Sequence, residues 1–293
     1  MNLYIIGNGF DLWHCLPTGY DSFYKFGKET LDELENFYDV GVSHIGPWHD
    51  FENTLGQFNC DDFFDSNNHI DVISDSFRPS FLYSLEDDLS EQSEVHVEAI
   101  KDLFCTWVEG IDISGVNKKL EFSEDDIFIN FNYTSTLEIA YGVSEHRILH
   151  VHGRAGHSSD LIFGHGVVLR QEPELDEYGD STRTMFTDAK NASMYPLYAF
   201  KKPVENVLEK NQRFFDSLSD ISNVIVIGHS LNSIDLPYFK RVVQVVGTVS
   251  WVVYIYDIDQ KHSVMETLVS CGVKKEWVEI ALYPALEAKY ADR

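Results

Sequence analysis

The sequence predicts an α/β protein: a Rossmann-like, mostly parallel sheet with helices on both faces, interrupted by a helical insertion. Three observations predict it. The chain opens on an apolar, β-branched run from Asn2 that ends in Gly7-Asn8-Gly9, as a buried parallel strand ends when the backbone turns into a helix and leaves amide groups free. Two later apolar runs, ending near Asn132 and Gly228, close on similar small and polar residues. Segments of helical spacing separate these runs. The carboxyl ends of such strands converge on one crevice, so Gly7, Asn8, Gly9, Phe10 and Asp11 are candidate ligand-binding residues together with Asn132 and Gly228. A full dinucleotide fingerprint would carry a third glycine where Leu12 stands.

After the first strand, Leu12 to Pro17 lead to a helix at Thr18, with Asp21 three residues on as in a capping box and Tyr20, Phe23, Tyr24 and Phe26 as an aromatic stripe. From 29 to 115 apolar residues recur at helical spacing among acidic ones, and nothing reads as a strand. This is the insertion, and residues 1–28 and 116–293 form the Rossmann-like domain. Inside the insertion Trp48, Phe51 and Glu52 share a helix face, which points the carboxylate inward with the rings. The sheet resumes with Asp126 to Asn132, then Arg147 to His152, and Leu161 to Gly166 is expected to add a strand. Leu169 to Asp188 reads as a polar surface loop, followed by two helices, Met194 to Phe200 and Pro203 to Leu218. Asn223 to Gly228 is the next strand, and it runs through His229 and Ser230 into a helix with Ser233 as cap and Asp235 and Pro237 in its first turn. Trp251 to Asp257 and Trp277 to Tyr283 complete the sheet, the former ending in a carboxylate suited to ribose hydroxyls.

Charge narrows the function classes. Against 48 Asp and Glu stand 22 Lys and Arg, a net charge of −26, which repels nucleic-acid backbones and anionic membrane surfaces. No apolar run reaches about 18 residues and no basic leader precedes the first strand, so a cytoplasmic protein with no membrane contact is expected. The four cysteines, Cys15, Cys60, Cys105 and Cys271, include no paired spacing, which suits a reducing compartment. His146, His150, His152, His157 and His165 cluster in sequence, with His150 and His152 on one side of a strand. They lack the spacing of a zinc motif, and no metal is expected. Gly228-His229-Ser230 also resembles a nucleophile elbow, with Asp257 and His262 as partners for Ser230, but Asn232 stands where that motif requires a second glycine.

GNGFDLWHCLPTGYDSF, WHDFE, FINFNYTSTLE, HVHG, FGHG and GHSLNSIDLPYF together resemble the AbiH family of bacteriophage abortive infection proteins, over nearly the whole chain. That family is in turn similar to the sirtuin-like domains of NAD-consuming defence proteins. The resemblance implies an antiphage protein that binds and hydrolyses NAD or a related nucleotide. By it, Gly7 and Gly9 stand in the NAD-binding loop, Asn132 and His152 at the catalytic Asn and His, and Gly228, Ser230 and Asp235 at later binding positions. Thr134 departs from the sirtuin-like pattern by replacing an Asp that contacts ribose, and the zinc cysteines of deacetylating sirtuins are absent. His152 would be the general base and Asn132 the orienting amide for an oxocarbenium-like transition state. The alternatives are a non-catalytic nucleotide sensor that contacts a protein partner, or a second copy of itself, through the insertion, and a hydrolase based on Ser230.

Overall fold

The computed structural model describes residues 1–40, 46–157, 161–169 and 173–291. The chain folds into two compact units, one of residues 1–19, 108–162 and 203–293, the other of residues 20–107 and 163–202.

Six strands form the centre of the first unit: β1 (Asn2–Ile6), β2 (Ile127–Asn130), β3 (Ile148–His150), β4 (Asn223–Ile227), β5 (Ser250–Ile255) and β6 (Val278–Leu282). All pairs are parallel and the order is β3-β2-β1-β4-β5-β6. β1 therefore lies between β2 and β4, where the order reverses, and this is the position at which open parallel sheets offer a crevice. Alternation along the strands explains the layering. Leu3, Ile5, Ile129, Val224, Val226, Trp251 and Val253 face one side. There they meet Tyr238, Phe239 and Val242, and also Val264 and Leu268. Tyr4, Ile6, Phe128, Ile225, Ile227 and Tyr254 face the other side with Phe10, Leu137, Tyr283 and Leu286. The helices that supply these contacts are α1 (Asn8–Trp13), α2 (Thr136–Ile139), α3 (Leu236–Val246), α4 (Lys261–Ser270) and α5 (Tyr283–Ala291). The sheet is thus covered on both faces, as its near-continuous apolar strands require.

Several local expectations need correction. α1 follows β1 directly, and the next helix starts at Tyr20. The hydroxyl of Thr18 is buried without a hydrogen-bond partner, so Thr18 does not cap that helix. Leu161 to Gly166 is no strand and contributes only an isolated bridge from His165 to Lys201. Gly164 sits at φ +130°, where a Cβ would lie 1.8 Å from the Phe200 carbonyl, and that left-handed kink breaks an extended run. Between 187 and 216 there are four short helices in place of two longer ones. Ser233 lies in a 3-10 turn, Ser233–Asp235, ahead of α3 and makes no cap bond.

In the second unit the helix Ser80–Glu109 supplies buried Leu89, Val97, Ile100 and Phe104. Phe51 stacks on Phe104 at 5.5 Å, and Trp48 precedes the short helix Phe51–Leu55 at φ +59° yet is fully buried. Glu52 does point inward, where its carboxylate meets the buried Lys202 ammonium at 2.9 Å. Residues 41–45 of the insertion and 170–172 of the polar loop lie outside the described residues. Among the described residues no helix is long and apolar enough to cross a membrane.

Candidate functional site

The turns after β1 and β4 touch each other. Gly7 N–H donates to the Ile227 carbonyl at 3.0 Å, and Gly9 N–H to the Gly228 carbonyl at 2.8 Å. A Cβ on Gly7 would lie 2.6 Å from His229 Cα, one on Gly9 2.7 Å from Gly228 Cα, and one on Gly228 2.4 Å from Phe10 N. These glycines thus let two backbone turns pack at a distance no side chain would permit. The two amides that the sequence offers to a ligand are bonded within the chain. Asn8 is exposed and donates from Nδ2 to the Thr18 carbonyl at 2.9 Å, while Phe10 is wholly buried against His14 and Tyr141.

Asp11, on α1, turns into the protein instead of toward water and is 1 % exposed. Its Oδ2 accepts from Thr134 Oγ1 at 2.5 Å and its Oδ1 from Thr136 Oγ1 at 2.9 Å. Burial raises its pKa from 3.8 to about 6, against the lowering effect of hydrogen bonds from Thr134, Thr136 and the Asn132 side chain. Asn132, just past β2, donates its backbone N–H to Asn130 Oδ1 at 3.1 Å, and its own Oδ1 is buried without a partner.

His152, just past β3, brings Nε2 to 3.2 Å from Asp235 Oδ1. His229, past β4, brings Nε2 to 3.7 Å from the other carboxylate oxygen of Asp235. Leu231 N–H donates to His229 Nδ1 at 2.9 Å, so in the neutral ring the proton is on Nε2, facing Asp235. That turn is strained: Gly228 lies at φ +68° and Leu231 at φ +56°, the latter held by the burial of its side chain in the core. The ring of Phe131 stands edge-on to both His152 and His229, and Tyr133 stacks on His152 at 5.9 Å. Tyr238, one turn along from Asp235, has a buried hydroxyl without a hydrogen-bond partner. Burial first, and the Asp235 charge second, push its pKa well above the usual tyrosine value.

The remaining expected residues are elsewhere. Ser230 is exposed. Asp257 is exposed and accepts from Asp259 N–H at 3.0 Å, and His262 pairs with Glu266 along α4 at 3.1 Å, so neither is bonded to Ser230. His150 meets Glu138 at 2.7 Å, and His165 is held by the Leu197 carbonyl and Val167 N–H. Among the described residues no three His, Cys, Asp or Glu side chains are grouped as metal ligands. His229, Tyr238, Thr134 and Thr136 join the candidates only through the structure, although the ring in Gly-His-Ser and the spacing from Asp235 to Tyr238 were visible signals.

This arrangement can hold a histidine ring against a carboxylate, beside an amide acceptor and a buried hydroxyl. The family model described as "Bacteriophage abortive infection AbiH" matches residues 3–256. No curated protein and no solved structure matches the chain.

Proposed function

We propose, from the premise that this chain belongs to the AbiH family of bacteriophage abortive infection proteins and so serves in phage defence, that it binds NAD or a close relative and cleaves its nicotinamide–ribose bond. The observation that carries the reading is Asp235 between His152 and His229 at the carboxyl ends of β3 and β4. A carboxylate that fixes a histidine and stabilises its imidazolium is the arrangement general-base catalysis needs.

In the reaction the glycosidic C–N bond breaks and its electron pair neutralises the nicotinamide ring nitrogen. Water adds to the ribose carbon, and His152 takes the proton that water loses. Asp235 holds the ring throughout, and the imidazolium that forms is paired with its charge. Asn132 orients the sugar through a hydrogen bond. The glycines of the first turn serve this site by letting the β1 and β4 turns meet, which sets Asp11 and His229 in place.

The purified protein incubated with NAD should release nicotinamide. His152→Ala should lower that turnover by about a hundredfold or more with a smaller effect on NAD affinity. Equal turnover in the variant would refute the role of His152. Saturable binding of NAD with no product would replace catalysis by a sensor function.

A further inference from the structure

We infer that Tyr133 is a positioning residue for His152, holding the plane of the imidazole with its own ring and the backbone that carries it with two hydrogen bonds. The inference deepens the reading above, since it takes His152 as the base. Phe131 N–H continues the sheet ladder past β2 onto the Ile6 carbonyl at 2.9 Å, and Tyr133, two residues on, projects to the same side. Both side chains reach His152. Phe131 meets the imidazole at 88° with ring centroids 5.3 Å apart, and Tyr133 meets it nearly parallel, at 27° and 5.9 Å. These are the edge-to-face and offset-stacked arrangements that aromatic rings prefer. A ring bounded by one perpendicular and one near-parallel neighbour can neither swing nor tilt freely, so both side-chain torsions of His152 are confined.

The polar groups of Tyr133 act on the backbone that follows His152. Gly153, at φ +75°, turns the chain back, and Ala155 N–H donates to the Tyr133 carbonyl at 2.6 Å. The Tyr133 hydroxyl donates to the Ile162 carbonyl at 3.1 Å, and Ile162 N–H in turn donates to the His152 carbonyl at 2.9 Å. One residue thus anchors the chain at Ala155 and again at Ile162. The second anchor closes a circuit that runs from ring to ring, from hydroxyl to Ile162, and from Ile162 back to His152. Asp235 approaches the same imidazole from a separate crossover, with Oδ1 3.2 Å from Nε2. Tyr133 therefore sets the direction in which that ring faces when the carboxylate meets it, and it acts through His152 instead of on the substrate.

The test separates the ring of Tyr133 from its hydroxyl. In the whole, ligand-free protein, three-bond NMR couplings of the His152 side chain, identified by their loss in His152→Gln, should report one χ1 rotamer. Tyr133→Leu, which removes the ring, should average those couplings. With NAD as the probe, Tyr133→Leu should lower kcat about tenfold or more and move KM less than about twofold, because a displaced base is felt in the transition state. Tyr133→Phe removes one oxygen atom and keeps the ring, so it should recover most of that loss and stay within about threefold of the wild type. In a His152→Ala background either change should cost less than about twofold, since an effect that passes through His152 has nothing left to act on. A loss that stays additive in that background overturns the proposal, and with Tyr133→Phe this arm needs no larger change to fold. Couplings already averaged in the wild-type protein, or unchanged in Tyr133→Leu, overturn it as well. If wild-type protein neither binds nor cleaves NAD, the functional reading fails, and the couplings alone still decide whether Tyr133 holds His152.

Discussion

Replacing Asp11 by Asn should change how stability depends on pH, and the size of the change follows from its burial. In the folded protein this carboxyl keeps its proton up to about pH 6, whereas in the unfolded chain it does so only to 3.8. Between those values the folded state binds more protons than the unfolded one, so stability falls as pH rises and the loss is complete above the folded value. At about 1.4 kcal/mol per pH unit, the whole span corresponds to roughly 3 kcal/mol. Measurements are best kept at or above about pH 5, because a strongly acidic protein loses solubility as its carboxylates protonate. Between about pH 5 and pH 7.5 the remaining part of the effect is about 1.4 kcal/mol. Asp11→Asn carries no charge and lacks this slope. Urea unfolding of both proteins at the two pH values should therefore show the variant gaining about 1.4 kcal/mol on the wild type at the higher pH. A difference that stays constant, or moves the other way, would refute the assignment of a raised pKa to Asp11.

Three further outcomes are expected. Asp235→Asn should lower nicotinamide release at least tenfold while NAD affinity measured by calorimetry changes little, since the amide cannot stabilise an imidazolium; an unchanged rate would remove Asp235 from the mechanism. Gly228→Ala should cost about 2 kcal/mol or more in urea unfolding, from the left-handed backbone at φ +68° together with a Cβ 2.4 Å from Phe10 N; a loss below about 0.5 kcal/mol would show that the turns can part without cost. Glu52→Gln should destabilise by about 3 kcal/mol, read from the urea midpoint, because it removes the carboxylate charge that faces the buried Lys202 ammonium at 2.9 Å; a neutral effect would mean that this ion pair adds no net stability.

The sheet was legible because its strands are apolar throughout and end in turn residues. From β1 and β4 alone, the runs before Gly7 and Gly228 identify strands whose ends belong together, and the pairing of Ile6 with Ile227 bears that out. Leu161 to Gly166 failed the same logic. Its apolar residues look extended, but the backbone at Gly164 is set by a close approach to Phe200, which no local pattern records. The glycines of the first turn illustrate the limit from the other side. A glycine that makes room for a phosphate and one that makes room for another turn of the same chain are identical in sequence, and here Gly7 and Gly9 lie against the β4 turn. The pairing of His152 with Asp235 was equally hidden, since each was visible as a strand-end or helix-start residue while their contact spans two different crossovers. Asp11 was included for its place in the first motif, but its burial under Thr134 and Thr136 depends on β2 lying beside β1.

The central place of β1 also governs when the sheet can assemble. Its two neighbours in the sheet are distant in the chain: Asn2 bonds to Asp126, 124 residues on, and to Asn223, 221 residues on. Pairings so far apart form slowly and only after loop closure has been overcome, in contrast to the local contacts of a helical bundle. As the chain leaves the ribosome, β1 must wait until β4, 221 residues on, has been made before the two can dock. The candidate residues Asp11, Asn132, His152 and Asp235 lie on both early and late pieces of this sheet, so a chain that has not yet reached Asp235 cannot assemble them. The docking of β4 beside β1 is thus a precondition for bringing the turns after them together.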